Sequence, residues 1–210
     1  MPRHIAKVIT LADVQPMLAK RSKSLPRTGT WHYSLKYDGY RMLAATAPVG
    51  LKTRGGMDAT AWFPELVSSL SGLPTGTNIL DGEVCVLDEL GRSDFNRLHA
   101  RALRRCWYRG ADPVALCAFD LLVHNGHDIR AMPIEERWAR LRELLSGVAG
   151  ILFVDSVDDG DWLYSAVLGL KLEGIVAKRA GSAYVAGESP DWIKIKRPGA
   201  VTAGSFHRAI

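Results

Sequence analysis

The stretch SLKYDGYRML, residues 34–43, places three charged side chains in an otherwise apolar and aromatic run. Lys36, Asp38 and Arg41 surround Gly39, and the pattern predicts a tight turn between two short strands. An ionised group inside a folded protein is costly unless it is paired or binds a ligand. This stretch therefore indicates a binding or catalytic site rather than a simple half-buried strand.

Five further strand-like segments also carry charge: TRGG (53–56), DGE (81–83), FD (119–120), LEGIVAKR (172–179) and WIKIK (192–196). In WIKIK, Lys194 and Lys196 are two residues apart, so they lie on one face of a strand together with Trp192. Ile193 and Ile195 point to the other face. Two ammonium groups directed at one point require an anion.

Composition sets the class of protein. The chain has 210 residues, 47% of them hydrophobic, and no apolar run approaches the roughly 18 residues that span a bilayer. The N-terminus lacks the features of a secretory signal. We expect a soluble, cytoplasmic protein without a membrane partner. The three cysteines lack CxxC spacing, which argues against a disulfide framework and against zinc.

The net charge of +5 is unevenly distributed: residues 1–60 carry +7, residues 61–160 carry −5, and residues 161–210 carry +3. A cationic surface would suit nucleic acid, although solvated lysines and arginines explain the charge equally well. Basic residues of the N-terminal segment are candidates for contacts with DNA phosphates: Lys20, Arg21, Lys23 and Arg27. A predicted helix in SDFNRLHARALRR, with Ser93 as its N-cap, has a basic face: Arg97, Arg101, Arg104 and Arg105. Two interpretations of this face stay open: it meets a phosphate backbone, or it meets only solvent and the acidic middle region of the chain.

The order of elements predicts an α+β fold with antiparallel sheets. Residues 1–30 end in SKSLPRTGT and are predicted to form a basic arm. Residues 31–197 form the folded domain, and residues 198–210 a tail. WHYSL, YRMLAATA and VGLKTR are predicted to form an antiparallel meander, NILDGEVCVLDELGR two strands, and MPIEERWARLRELL the clearest helix.

In their order along residues 15–197, the six charged segments resemble the nucleotidyltransferase motifs of ATP-dependent DNA ligases, including the bacterial end-joining type. The resemblance implies a nucleotidyltransferase (ATP-grasp-like) fold of two antiparallel β-sheets flanked by helices. It also implies ATP as cofactor and nicked double-stranded DNA as substrate. The first segment alone also occurs in messenger RNA capping enzymes, so a capping-type guanylyltransferase, an RNA ligase and a non-catalytic nucleic-acid-binding module remain alternatives.

The resemblance assigns Lys36 as the nucleophile that attacks the α-phosphate of ATP, forming lysyl-AMP and releasing pyrophosphate. It assigns nucleotide contacts to Arg41, Arg54, Glu83, Phe119, Lys194 and Lys196. Lys194 and Lys196 hold the α-phosphate, and Phe119 stacks on the adenine. Glu173, with Glu83, binds Mg²⁺ or Mn²⁺. Asp38 braces the loop, and Asp120 is a weaker candidate for the metal region.

The sequence departs from the family at several positions. Many relatives carry glutamate at position 34, where this chain has Ser34, and this leaves the choice of ATP over GTP open. Glu188 stands where arginine is common, and His99 where glutamine is common. Only fourteen residues follow WIKIK, too few for the OB-fold domain of the family. We therefore expect an isolated adenylation domain, a fragment of a longer protein, or a minimal enzyme that takes its second domain from a separate OB-fold or end-joining protein. We also expect a monomer.

Overall fold

The computed structural model describes residues 8–200. Ten strands lie in this range: Met17–Ser22 (β1), Trp31–Leu35 (β2), Tyr40–Thr46 (β3), Val49–Thr53 (β4), Ile79–Cys85 (β5), Ala115–His124 (β6), His127–Asp128 (β7), Ile151–Phe153 (β8), Gly174–Arg179 (β9) and Gly187–Lys196 (β10). The α-helices are Pro64–Ser71 (α1), Phe95–Leu103 (α2), Ile134–Leu144 (α3) and Gly160–Gly169 (α4). Short 3₁₀ helices span Leu11–Asp13 and Thr60–Trp62. No helix of the described range is long and apolar enough to cross a membrane.

The strands form two sheets, which confirms the predicted α+β architecture. The first sheet has the order β1-β10-β9-β2, and the second has the order β4-β3-β5-β6-β7, with β8 paired to β6. The sheets are not purely antiparallel as predicted, because β1 runs parallel to β10 and β8 runs parallel to β6. Each parallel pair joins strands separated by long connections, and a hairpin pattern in the sequence cannot reveal such pairs.

The N-terminal segment was predicted to be an arm up to residue 30, and this is wrong for residues 17–22. They form β1, an edge strand that pairs with β10 from Met17 opposite Gly187 to Ser22 opposite Ile195. Residues 1–7 and 201–210, which include the ends of the predicted arm and tail, lie outside the described residues.

The predicted meander is wrong at its first strand. β2 pairs with β9 in the first sheet, whereas β3 and β4 form a hairpin in the second sheet. Residues 36–39 therefore cross from one sheet to the other instead of forming a hairpin turn. Gly39 is required by a close approach, because a Cβ atom there would lie 2.2 Å from the carbonyl oxygen of Val84. NILDGEVC likewise forms the single strand β5 with irregular pairing to β6, so the prediction of two strands is wrong there.

Three apolar layers hold the elements together. The side chains of α4, including Val167, pack on the outer face of the first sheet against Ile175 and Ile195. A second cluster lies between the sheets and includes Met17 and Trp192 from the first sheet. A third cluster joins the outer face of the second sheet to the helices, with these members among others: Met42, Leu80 and Leu116 from strands, and Leu66, Leu98 and Leu141 from helices.

A buried ion pair fixes α3 against β6. Arg137 Nε donates to Asp120 Oδ1 at 2.7 Å and Nη2 donates to Asp120 Oδ2 at 2.8 Å, and both side chains are fully buried. Arg137 Nη1 also donates to the carbonyl oxygens of Met132 and Ser182. Asp120 is thus committed to Arg137, which contradicts its assignment to the metal region.

We predict that Arg137→Met destabilises the protein by about 3–5 kcal/mol, because it leaves the buried Asp120 carboxylate without its partner. The double substitution Arg137→Met/Asp120→Leu removes both charges and is expected to recover most of that loss. Urea denaturation of both variants measures the difference. The exposed Arg142→Ala serves as control, and a double variant no more stable than Arg137→Met would contradict this role of the pair.

Candidate active site

A cleft of about 900 Å³ lies between the two sheets. Its floor is the inner face of the first sheet, and its opposite wall comes from β3, β5 and β6 and from the loops that follow β4. All eight residues that the sequence assigned to nucleotide or metal binding line this one cleft: Lys36, Arg41, Arg54, Glu83, Phe119, Glu173, Lys194 and Lys196. The structure therefore brings together side chains that are up to 160 positions apart in the sequence.

Strand register sets the order of side chains on the floor. Ser34 of β2, Val176 of β9 and Lys194 of β10 form one row. In the next row on the same face, Lys178 of β9 lies opposite Trp192 of β10. Because alternate residues of a strand share a face, these side chains point into the cleft, while Ile195 points to the core beneath α4. The predicted faces of WIKIK are confirmed.

Glu173 lies between two lysines at one end of the cleft. Its Oε2 atom is 2.6 Å from Lys36 Nζ and its Oε1 atom is 2.6 Å from Lys196 Nζ, while the carboxylate side chain is only 5% exposed. The backbone fixes the same arrangement, because Lys36 N donates to Gly174 O at 3.0 Å and Arg197 N donates to Glu173 O at 3.0 Å. Gly174 permits this approach, since a Cβ atom there would lie 2.2 Å from the carbonyl oxygen of Ile195.

Positive charge accumulates around this end of the cleft. Burial lowers the pKa of Lys194, and the charges of Lys36, Arg54 and Lys196 lower it further. Three cations thus act on the Lys194 amine. Such a group favours an anion bound among them, because the anion relieves their mutual repulsion.

Two further carboxyl groups face the same charges. Burial raises the pKa of Glu83 to about 7, and the charges of Lys36 and Arg41 offset part of that rise. Burial also raises the pKa of Asp38, and the charge of Glu173 adds to this effect. The backbone amide of Asp38 donates to Ser93 Oγ at 2.9 Å, which ties the crossover between the sheets to the segment before α2.

Arg41 is held by protein groups rather than left open to the cleft. Its Nε and Nη2 atoms donate to the two carboxylate oxygens of Asp81 at 2.7 and 2.5 Å, and Nη2 also donates to Met17 O at 2.9 Å. Tyr184 donates to Asp81 Oδ2 at 2.5 Å and accepts from Met17 N at 2.8 Å. The guanidinium lies 4.7 Å from the centre of the Phe119 ring. Arg41 therefore joins the two sheets and supports the Phe119 ring.

Lys178 is a cleft residue that sequence reasoning missed. It is 2% exposed, its Nζ atom donates to Phe119 O at 3.1 Å, and it lies 4.6 Å from the ring centre of Phe119 and 4.5 Å from that of Trp192. Burial lowers its pKa to about 7. The alternation of LEGIVAKR could have revealed it, because Lys178 shares a strand face with Gly174 and Val176.

The departures from the family pattern have definite positions. Ser34 is buried in the cleft floor, and Glu188 lines the cleft near Lys194, whose charge it partly balances. His99 lies outside the cleft lining, where its Nδ1 atom is 2.7 Å from the hydroxyl of Tyr40. Arg21, assigned to the arm, lies in β1 opposite Lys194 and lines the cleft.

Comparison with known proteins identifies the family. The model of the ATP dependent DNA ligase domain matches residues 16–196. Among curated relatives, the multifunctional non-homologous end joining protein LigD of Pseudomonas aeruginosa is 40% identical over 193 residues, which cover 87% of this chain and 22% of that protein. The SPbeta prophage-derived DNA ligase-like protein LigB of Bacillus subtilis is 31% identical, with 87% of this chain and 67% of that protein covered.

Solved structures agree with this result. The crystal structure of the ligase domain from M. tuberculosis LigD matches with a TM-score of 0.75 and 28% identity, covering 90% of this chain and 61% of that chain. A mycobacterial DNA ligase D complexed with ATP and MES matches with a TM-score of 0.74 and 28% identity, covering 90% and 62%. This chain thus spans about a fifth of the length of the Pseudomonas LigD protein. The cleft, its charged segments and these matches together show that the chain belongs to the ATP-dependent DNA ligase domain family.

Proposed function

We propose that this chain is a DNA ligase adenylation domain in which Lys36 becomes covalently attached to AMP from ATP, for later transfer to the 5′-phosphate of a DNA nick. The supporting observation is the position of the Lys36 amine, which lies beside Lys194, Lys196 and Glu173 in a cleft that also holds an aromatic ring for a nucleobase. Membership of the ATP-dependent DNA ligase family gives the substrate class.

The chemistry follows from the contacts of Lys36. An amine attacks only after it loses a proton, and the Glu173 oxygen 2.6 Å away is placed to accept one. A bond then forms between Lys36 Nζ and the α-phosphorus, and the bond from that phosphorus to the pyrophosphate oxygen breaks. Lys194 and Lys196 stabilise the negative charge on the phosphoryl oxygens during this transfer.

The carboxylates suit a divalent cation with hard oxygen ligands. In residues 8–200, no group of three or more His, Cys, Asp or Glu side chains is arranged to hold a metal ion by itself. Mg²⁺ is usually bound by one or two carboxylates together with substrate phosphates, and Glu173 and Glu83 meet that requirement. A bound Mg²⁺ or Mn²⁺ would neutralise phosphate charge beside Lys36.

The same cleft also offers groups for the nucleoside. Phe119 offers an aromatic surface for the adenine, and Arg54 and Glu83, which line the cleft, are proposed to contact the ribose hydroxyls. The buried hydroxyl of Ser34 can donate or accept a hydrogen bond, so it does not by itself select adenine over guanine. We assign Arg41 a supporting part in nucleotide binding through its contact with Phe119.

The remaining assignments are predictions for the whole protein. Nicked double-stranded DNA is the proposed substrate, and sealing is expected to need an OB-fold domain supplied by a longer form of the chain or by a separate end-joining partner. We further predict a monomer that works in the cytoplasm, with residues 31–197 as the catalytic domain.

Incubation of the chain with α-labelled ATP and Mg²⁺ is expected to give a covalently labelled protein. Lys36→Ala is expected to abolish the label because it removes the nucleophile, whereas Lys23→Ala, which changes an exposed lysine, is expected to keep it. Denaturing gel electrophoresis detects the product. Labelling by GTP alone would favour a capping-type guanylyltransferase, and a labelled Lys36→Ala variant would assign the nucleophile elsewhere.

Glu173→Gln is expected to slow adenylation by about 10²-fold or more, because it removes the proton acceptor and a metal ligand while keeping the shape of the side chain. The rate of label incorporation under single-turnover conditions measures this. Glu136→Gln changes an exposed carboxylate on α3 and is the matched control. Equal rates for the two variants would exclude this role of Glu173.

Lys178 is expected to make stability depend on pH. Its pKa is about 7 in the folded protein and 10.5 in the unfolded chain, so between these values the unfolded chain binds more protons. The contribution of Lys178 to the free energy of unfolding therefore rises with pH, by about 3 kcal/mol from pH 7 to 9.5. The same stabilisation disappears as the pH falls from 9.5 toward 7.

Lys178→Met is expected to remove this slope, because methionine is uncharged and of similar length. Urea denaturation at several pH values measures the difference between the variant and the parent protein, with Lys23→Met as the exposed control. Parallel pH profiles for the Lys178→Met variant and the parent would mean that the buried amine is not the source of the dependence.

A further inference from the structure

An arginine-rich surface follows the C-terminal end of α2. The segment LRRCWYRG, residues 103–110, contains three arginines and no acidic residue. We define the arginine patch as the exposed side chains of Arg104, Arg105 and Arg109 together with the adjoining rings of Trp107 and Tyr108. Nothing in the adenylation chemistry proposed above uses this patch.

The structure separates these arginines from the rest of the basic face predicted for α2. Arg97 is paired with Asp112. Arg101 is fully buried, 3.2 Å from Glu65, and donates to the carbonyl oxygen of Cys106. Both charges therefore already have a carboxylate partner within the protein.

The three arginines of the patch have no such carboxylate partner among the described residues. Within residues 8–200, no carboxylate forms an ion pair with Arg104, Arg105 or Arg109. Their positive charges are uncompensated and face solvent. A polyanion is the partner that fits such a surface.

Aromatic rings are interleaved with these cations. The guanidinium of Arg104 lies 4.0 Å from the ring centre of Tyr108, and that of Arg105 lies 5.3 Å from that of Trp62. Trp107 is 59% exposed and lies within this segment. Basic and aromatic side chains together are typical of surfaces that contact nucleic acid, because arginine binds phosphate and an exposed ring packs against the sugars of the backbone.

The patch continues into the cleft. Trp62 lines the cleft, and Arg105 lies over the same ring from the patch side. Arg105, two residues beyond the last residue of α2, has a φ of 53°, a left-handed conformation that is unfavourable for arginine. The arginine patch thus adjoins the cleft at Trp62.

We propose that the arginine patch binds the phosphate backbone of duplex DNA beside the nick. This inference rests on the proposed function, since the nick must lie over the cleft for its 5′-phosphate to reach AMP on Lys36. DNA that covers the cleft opening would extend over the surface next to the opening, where Trp62 and Arg105 lie. An acidic protein could bind the same charges, but it would not explain why the patch lies next to the cleft.

The test is the triple variant Arg104→Ala/Arg105→Gly/Arg109→Ala. Glycine at position 105 suits the left-handed backbone, so the variant is expected to remain folded. Fluorescence anisotropy with a labelled nicked duplex measures affinity from 20 to 200 mM salt. We expect the affinity at low salt to fall roughly tenfold, and the slope of log K against log salt to become shallower by about 2 to 3, since each lost phosphate contact removes about 0.9.

Self-adenylation with ATP needs no DNA, so it separates this inference from the proposed function. The triple variant is expected to be labelled at the parent rate. If the parent protein is not labelled by ATP, the proposed function is overturned. If the triple variant is labelled and also binds DNA as tightly as the parent protein does, the DNA-binding role of the arginine patch is overturned.

The triple variant Arg140→Ala/Arg142→Ala/Lys171→Gly is the matched control, because it also removes three exposed positive charges, places glycine at a left-handed position, and changes residues outside the cleft lining. An equal loss of affinity in this control would reduce the effect to net charge and overturn the assignment. The same holds if the parent chain fails to bind the duplex at 20 mM salt. Displacement of DNA by polyglutamate at equal charge concentration would make the patch a site for an acidic protein instead.

Discussion

The two-sheet arrangement depends on the hydrogen bonds and the ion pair made by the fully buried carboxylate of Asp81. Asp81 lies in β5 of the second sheet, binds Arg41 of β3 through both oxygens, and accepts a hydrogen bond from Tyr184. Arg41 and Tyr184 both bind the backbone of Met17 in the first sheet. A carboxylate without exposure is tolerated only when its oxygens are fully hydrogen-bonded, so the network has little freedom to rearrange. The network therefore joins the two sheets next to the cleft, which Arg41 lines.

The second organising contact is the Glu173 carboxylate between Lys36 and Lys196. Three strands or their ends meet there, and the close approach at Gly174 brings their backbones within reach. In the proposed function, nucleotide phosphates would balance the two lysines, and the same carboxylate would then bind a metal ion or accept a proton. The contacts that hold this end of the cleft together and the proposed chemistry thus involve the same groups. The arginine patch differs from this site, because within residues 8–200 no carboxylate balances its three cations.

Much of the site could be predicted from the sequence, because its residues are charged in segments that otherwise read as buried strands. Lys36, Glu173, Lys194 and Lys196 stand out for that reason, and the alternation of WIKIK gives their common face. Lys178 was missed although the same alternation applies to it. The pairing of β2 was mispredicted because a glycine after a strand is a local signal for a turn. Gly39 is instead required by the close approach of its backbone to Val84. Arg101 was mispredicted because helical periodicity does not say which side faces the core.

The sequence by itself determined the family and the α+β class, and it predicted the proposed nucleophile and the side chains around it, because these depend on residue types and on local spacing. Only the tertiary structure decided that residues 17–22 complete a sheet, that Asp120 serves Arg137 rather than a metal, and that Arg41 joins the two sheets. Each of these results depends on pairing between segments that are distant in the chain. Such pairing is set by burial and by the need to satisfy every buried charge, and neither can be read from a local pattern.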